Sequence, residues 1–162
     1  ISIQHENIMM NNLNHLVKLF PIALSETPSM REVFYKSISP ADAMHSLDKP
    51  SPCLLESRQL ETISSTIATF SLDYFFNLFN LPKPTKFKLD VDGIELLILE
   101  GSKSLLGNVD SIMVEVDEFN IVDIRNLLSS FGFCYEYSFP SHGTSLTNYN
   151  ILFSKENVEF PL

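Results

Sequence analysis

The stretch KFKLDVDGIELLILEG, from Lys86 to Gly101, decides the fold class of this chain. It opens with alternating apolar and polar residues, and in a strand such residues point to opposite faces. Gly93 then interrupts the alternation, and the residues that follow it have the apolar content of a buried helix. A strand that leads through a glycine turn into a helix predicts one unit of a parallel α/β sheet.

The chain continues this alternation of strand and helix after Gly101. SIMVEVD predicts a second strand, and EFNIVDIRNLLSSFG predicts a helix whose apolar residues recur at helical spacing. FCYEYSF and NYNILFS predict two closing strands that pair with each other. We therefore expect an α/β fold with a mostly parallel sheet and an antiparallel C-terminal strand pair.

The first half of the chain gives weaker signals. The residues 1–15 have helical spacing, and Val17–Glu26 predicts a buried strand that Pro21 restricts to an edge or shortens. REVFYKSIS and ISSTIATF predict two strands that pair as a hairpin-like extension. Ser71 then predicts the N-cap of a helix with apolar residues on one face, at Leu72, Phe75, Phe76 and Phe79.

Composition and charge limit the classes of function. The chain has 162 residues, 44% of them hydrophobic and 19% charged, which suits one globular domain over residues 1–162. A formal net charge of −9 makes nucleic acid and anionic membrane poor partners. No apolar run reaches the roughly 20 residues of a membrane span, and no signal-peptide pattern is present. With Cys53 and Cys134 expected as free thiols, we predict a cytoplasmic protein.

Acidic residues follow both central strands. Asp90 and Asp92 end the first strand, Glu95 lies in the first turn of the helix, and Glu115 ends the second strand. Ligands of parallel α/β sheets bind beyond the carboxyl ends of the strands, so these residues mark a candidate site. A structural explanation stays open, in which Lys88 pairs with Asp90 and the acidic side chains near Gly93 support the helix N-terminus.

The DVDG segment resembles the signature of the haloacid-dehalogenase phosphatases. In that family a strand leads into DxDG followed by Thr or Val, and the two aspartates act with Mg²⁺ as nucleophile and acid/base. Here Ile94 follows Gly93, and the segment lies past the middle of the chain. A Mg²⁺-dependent phosphohydrolase and a non-catalytic interaction module are therefore the two alternatives. The four histidines show no metal-ligand spacing, and we expect no metal site.

A longer segment resembles the FkbM-type methyltransferases. Their hallmark reads roughly K-I-D-V-E-G-x-E, then an apolar stretch closing on L-x-G, then V-E-V. Asp92 stands where the family often has Glu. The segments NIMMNNLNHLVKLFPIALSE, ATFSLDYFF and NYNILFS resemble further parts of the family, so the resemblance covers nearly the whole chain. The hallmark positions in register are Lys88, Asp90, Gly93, Glu95, Gly101 and Glu115.

This resemblance implies a Rossmann-like S-adenosylmethionine fold with strand order 3-2-1-4-5-7-6. In that fold the first strand and its glycine-rich turn bind the methionine end of the cofactor, and an acid after the second strand binds the ribose. The chain starts at Ile1, inside a helical pattern, and shows neither feature. We therefore expect a fragment that lacks the first two strands, and which is inactive alone.

The resemblance also implies the reaction and the roles of individual residues. The family transfers methyl groups from S-adenosylmethionine to hydroxyls of sugars, glycans or natural products. Asp90 is the first candidate for the base and for contact with the cationic cofactor, Asp92 and Glu95 are candidates for shaping the site, and Glu115 for holding substrate. The turn of Ala23, Leu24 and Ser25 is the candidate for contact with the adenine end. We expect a small-molecule or glycan partner.

Overall fold

A computed structural model describes residues 2–35, 46–49, 63–91, 93–116, 118–140 and 149–157. The described residues form five helices and eight strands: α1 (Ser2–Met10), β1 (Ala23–Leu24), β2 (Ser29–Tyr35), β3 (Ser46–Leu47), β4 (Ile63–Phe70), α2 (Leu72–Leu78), β5 (Lys86–Leu89), α3 (Glu95–Glu100), α4 (Lys103–Leu106), β6 (Ser111–Val116), α5 (Ile121–Ser130), β7 (Tyr135–Pro140) and β8 (Tyr149–Ser154).

The strands make two four-stranded sheets. The first sheet has the order β1-β4-β2-β3 and the second has the order β5-β6-β8-β7. Parallel pairing joins β1 to β4 and β5 to β6. The other four pairings are antiparallel, including the C-terminal pair of β7 and β8 that the sequence predicted. The α/β class is confirmed, but the expectation of a mostly parallel sheet is wrong for the described residues, because a hairpin and the C-terminal strands dominate the pairing.

The hydrophobic core belongs to the second sheet. Ile112, Val114 and Val116 alternate along β6 with partly exposed residues, and they form one buried face. Helices α3, α4 and α5 supply the residues that pack with this face, among them the fully buried Leu99 and Leu128. Alternation along β6 thus places the helices on one face of the sheet, and the partly exposed residues on the other.

Pro21 shortens the first expected strand. Of Val17–Glu26, only the two residues of β1 pair with β4. Proline has no N–H to donate to a ladder, which explains why pairing starts after it. The ring of Phe20 lies edge-on to Phe75, with 5.1 Å between the ring centroids.

The helix expected after Gly93 is divided in two. Helix α3 ends at Glu100, and α4 begins at Lys103. The carboxylate of Asp73 accepts hydrogen bonds from the backbone N–H groups of Ser104 (2.8 Å) and Leu105 (3.0 Å). The N–H groups in the first turn of a helix have no acceptor within that helix, and Asp73 supplies acceptors for two of them. A new helix, α4, can therefore begin here.

The hairpin and the capped helix agree with the sequence-based expectation. Strands β2 and β4 pair antiparallel over seven residue pairs, from Ser29 with Thr69 onward. The Ser71 side chain accepts a bond from the Tyr74 N–H at 3.3 Å and caps α2. Phe75 of its apolar face is buried, whereas Phe79 is 55% exposed. Within the part of the chain that the structure describes, no helix is long and apolar enough to cross a membrane.

Candidate functional site

Strand β5 presents Asp90 at its carboxyl end. The side chain of Lys88 forms an ion pair with Asp90, so the pairing that the sequence left open is present. Both side chains are more than half exposed, at 60% for the lysine and 51% for the aspartate. An exposed pair of this kind contributes little to stability, and it leaves the Asp90 carboxylate accessible to a ligand.

Asp90 lies on two adjoining cavities between the sheets. One has a volume of about 280 Å³ and the other about 400 Å³. Val91 and Ile94, which follow Asp90, line both cavities. Lys88, the ion-pair partner of Asp90, also lines the larger cavity. An apolar wall with a few charged groups is typical of small-molecule sites, where polar groups orient an otherwise apolar contact.

Two of the three residues that we expect to contact the cofactor line these cavities. Ala23 lines both, and Leu24 lines the larger one together with Asp90. Ser25 is fully buried instead, and its hydroxyl donates a hydrogen bond to the carboxylate of Glu26. The structure therefore brings Ala23 and Leu24 together with Asp90, while the Ser25 side chain points to the neighbouring acid.

A small polar cluster surrounds Glu26. Its carboxylate accepts bonds from the Ser25 hydroxyl and from the guanidinium of Arg31, which also binds Asp48 at 3.0 Å. The Ser25 hydrogen bond, with a further contribution from Arg31, lowers the pKa of the Glu26 carboxyl below its ordinary value, although burial opposes the shift. Glu26 is thus held as a carboxylate at the end of the β1 turn.

Glu95 is buried, with 2% of its surface exposed. Its Oε1 accepts the backbone N–H of Gly93 at 3.3 Å, an N–H that also donates to the Val91 carbonyl oxygen at 2.9 Å, and its Oε2 accepts the side-chain amide of Asn120 at 3.3 Å. Gly93 has a φ of +86°, in the left-handed region that favours glycine. Glu95 therefore contacts both the turn after β5 and the loop after β6.

Glu115 lies near the carboxyl end of β6 and is partly exposed. The register pairs Lys88 with Met113, and side chains alternate along β6, so Glu115 is on the same face as Lys88. Asp92, the remaining candidate carboxylate, lies outside the described residues. Among the residues that the structure does describe, no three His, Cys, Asp or Glu form a group that could hold a metal ion.

Sequence reasoning missed two kinds of site residue. Val33 and Leu47 of the hairpin sheet line the smaller cavity with Asp90, and no local pattern distinguishes them from other strand residues. Asn120 immediately precedes α5, where Asn is a common N-cap. Its position in the sequence therefore indicated a capping role. Its side chain instead reaches Glu95.

A third cavity of about 370 Å³ lies between α5 and the second sheet. Val116, Ile121 and Ile151 give it apolar walls, and Arg125 lines it as well. Both carboxylate oxygens of Glu136 bind the Arg125 guanidinium, and these bonds raise the pKa of the arginine. The arginine charge is thus already matched by an acid.

A family model described as the methyltransferase FkbM domain matches residues 4–135 of the chain. The matched part contains every candidate site residue discussed above that the structure describes, from Ala23 to Glu115. Comparison with curated proteins gave no significant match, and neither did comparison with solved structures.

Proposed function

We propose a reaction from the fact that the chain belongs to the FkbM methyltransferase family. The proposed reaction is transfer of a methyl group from S-adenosylmethionine to a hydroxyl of a sugar, glycan or natural product. The observation that carries this proposal is the cavity of about 400 Å³ shared by Ala23, Leu24 and Asp90. It joins the turn expected at the adenine end of the cofactor with the carboxylate expected at the reacting end.

The residues around this cavity suit the cofactor. Ile22, Leu24 and Ile94 offer apolar surface to a flat base. Asp90 offers a carboxylate to a cation, although it shares the cavity wall with its ion-pair partner Lys88. S-adenosylmethionine, when bound, supplies an electrophilic methyl group on a positively charged sulfur. The order β5-β6-β8-β7 also supports a Rossmann-like sheet, because it corresponds to the 4-5-7-6 part of the strand order expected for the family.

Asp90 is the proposed base. A hydroxyl that gains a methyl group loses its proton, and a carboxylate within hydrogen-bond reach accepts that proton. Lys88 orients the Asp90 carboxylate through their ion pair. Glu115 is on the same strand face as Lys88 but does not line the Asp90 cavities, and we keep it as the candidate for holding an acceptor hydroxyl that extends beyond them. The net charge of −9 supports a neutral or cationic acceptor rather than a nucleic acid.

Cofactor binding and turnover test the function directly. We expect the natural full-length protein to bind S-adenosylhomocysteine in a calorimetric titration. We also expect it to release S-adenosylhomocysteine when incubated with S-adenosylmethionine and a panel of sugars, glycans and hydroxylated natural products. Absence of both binding and release across the panel would contradict the proposal.

Replacement of Asp90 separates the base from a surface ion pair. Asp90→Asn keeps the shape but removes the negative charge, so we expect the methyl-transfer rate to fall by roughly 10²–10⁴. Stability should change by only about 0–1 kcal/mol, because the pair with Lys88 is exposed. Turnover and melting temperature of the same variant check this, with Glu100→Gln as the control for an exposed acid on α3. Normal turnover would assign Asp90 to the ion pair alone.

A further inference from the structure

We propose that Glu95 is a positioning residue that ties together the two loops at the carboxyl ends of β5 and β6. It is not an acid or base in this assignment. The proposal rests on the proposed methyl transfer for its activity readout only. Its structural claim, that Glu95 fixes the turn of Gly93 to the loop ending at Asn120, is tested separately.

The contacts of Glu95 reach both loops from the first turn of α3. Its Oε1 receives the Gly93 N–H, three residues after Asp90, and its Oε2 receives the Asn120 amide, directly before α5. Glu95 is 2% exposed, so its carboxylate depends on protein donors in place of water. These two donors come from different loops, and the buried carboxylate therefore couples their positions.

Glu95 does not line the Asp90 cavities, although Ile94 beside it lines both. A general base must come within hydrogen-bond reach of the proton that it removes. Glu95 instead acts through Gly93, whose left-handed backbone ends the segment that carries Asp90.

Loss of this tie should affect the rate more than it affects substrate binding. Misplacement of a reacting group by about 1 Å can cost as much as 10²-fold in rate. If the loop after β5 relaxes, Asp90 moves relative to the acceptor hydroxyl, while the apolar walls of the cavity stay in place. We therefore expect kcat to fall and KM for S-adenosylmethionine to change less.

The Glu95→Gln variant distinguishes a need for the hydrogen-bond geometry of Glu95 from a need for its negative charge. In Glu95→Gln the carbonyl oxygen still accepts the Gly93 N–H. The new amide donates to the Asn120 side-chain oxygen once the Asn120 amide turns over. In the natural full-length protein we expect Glu95→Gln to keep a kcat close to that of the Glu100→Gln control. We expect Glu95→Ala to lose roughly 10- to 100-fold.

Two activity results would overturn the proposal. A Glu95→Gln rate as low as that of Glu95→Ala would mean that the charge itself is required. A Glu95→Ala rate equal to the Glu100→Gln control would mean that the tie has no effect on the reaction.

A second measurement covers the cases in which Glu95→Ala does not fold or the wild type transfers no methyl group. Asn120→Ala removes one end of the tie and leaves Glu95 in place. Amide hydrogen exchange at Gly93, followed by NMR in the natural full-length protein, should be faster in Asn120→Ala than in Glu100→Gln. Equal exchange would overturn the tie itself, whatever the protein catalyses. Faster exchange without any methyl transfer would support the tie and count only against the proposed function.

Discussion

The two sheets use similar strand residues and bury them very differently. In β6, Ile112 and Val114 are fully buried and Val116 is 2% exposed. In β4, which is longer and also rich in β-branched residues, Thr69 is the only one of the eight residues that is buried. β-branched composition therefore predicts that a strand forms, but it does not predict whether that strand belongs to a core.

Polar contacts between strands take the place of a core in the first sheet. Ser64 donates to Glu32 at 2.6 Å, and the hydroxyls of Tyr35 and Ser65 are 2.8 Å apart. Such a bond contributes about 0.5–1.5 kcal/mol net, whereas burial of one large aliphatic side chain contributes about 1.5–3 kcal/mol. Stability should therefore be concentrated in the second sheet and its helices.

A cavity in the second sheet's core should give the largest loss of stability. Leu128 of α5 is fully buried in the core cluster. We expect Leu128→Ala to lower the free energy of unfolding by about 2–5 kcal/mol, since it removes buried methyl groups and leaves a cavity. Chemical denaturation monitored by circular dichroism measures this loss.

Ile67 in β4 is the matched position in the first sheet, because it is a half-buried aliphatic residue of the hairpin. Ile67→Ala should cost clearly less than Leu128→Ala in the same denaturation experiment. Equal losses would show that the hairpin sheet contributes as much burial as the core sheet, and would remove the contrast between them.

The contact between the two halves is close at Gly101. A Cβ at this position would lie 2.5 Å from the carbonyl oxygen of Ser25 and 2.9 Å from the Cβ of Ser71. Both neighbours belong to the first half of the chain, so Gly101→Ala forces the halves apart. We expect a loss of about 1–3 kcal/mol, typical of overpacking, in the melting and denaturation curves.

Gly107→Ala serves as the control for Gly101→Ala. A Cβ at Gly107 meets only the Ser104 carbonyl oxygen, at an ordinary 3.5 Å. This glycine has helical dihedral angles, so alanine should be neutral or slightly stabilising there. A similar loss at both glycines would mean that close approach to Ser25 is not the reason.

Local patterns predicted the elements whose causes are local. The strand–turn–helix at Gly93, the strands β2 and β4 taken singly, and the Ser71 cap follow from alternation, β-branching and capping chemistry. The division between α3 and α4 was not predictable, because Asp73, which caps α4, is about thirty residues earlier in the chain. Such a tertiary contact leaves no periodic signal in the helix sequence.

The candidate site stays a prediction. The strand end led to Asp90 and the family resemblance led to the turn of Ala23, and the structure brings both to one cavity. The burial of Glu95 was not foreseen, since an acid in a first helical turn is usually exposed and favoured by the helix dipole. Its partner Asn120 lies 25 residues away in sequence. Pairing across that distance depends on the parallel placement of β5 beside β6.

The smallest expected effect is that of low pH on the stability contributed by the polar cluster around Glu26. The pKa of Glu26 is lowered in the folded chain, chiefly by the Ser25 hydroxyl and further by Arg31. A lowered folded-state pKa stabilises the fold at pH values above the unfolded-state pKa, which is near 4.5. That contribution is lost as pH falls below 4.5 and through the lowered folded-state pKa.

Glu26→Gln should therefore lower the melting temperature slightly at neutral pH and remove part of its decline below about pH 4.5. The effect is small because almost a third of the Glu26 side chain is exposed, at 30%, so solvent weakens its interaction with Arg31. Melting curves from pH 7 down to pH 3 measure it, with Glu6→Gln on α1 as the exposed control in the same half. Parallel curves for wild type and Glu26→Gln would mean that the cluster adds nothing to the fold. The first sheet would then depend on its ladder and on the uncharged contacts between its strands.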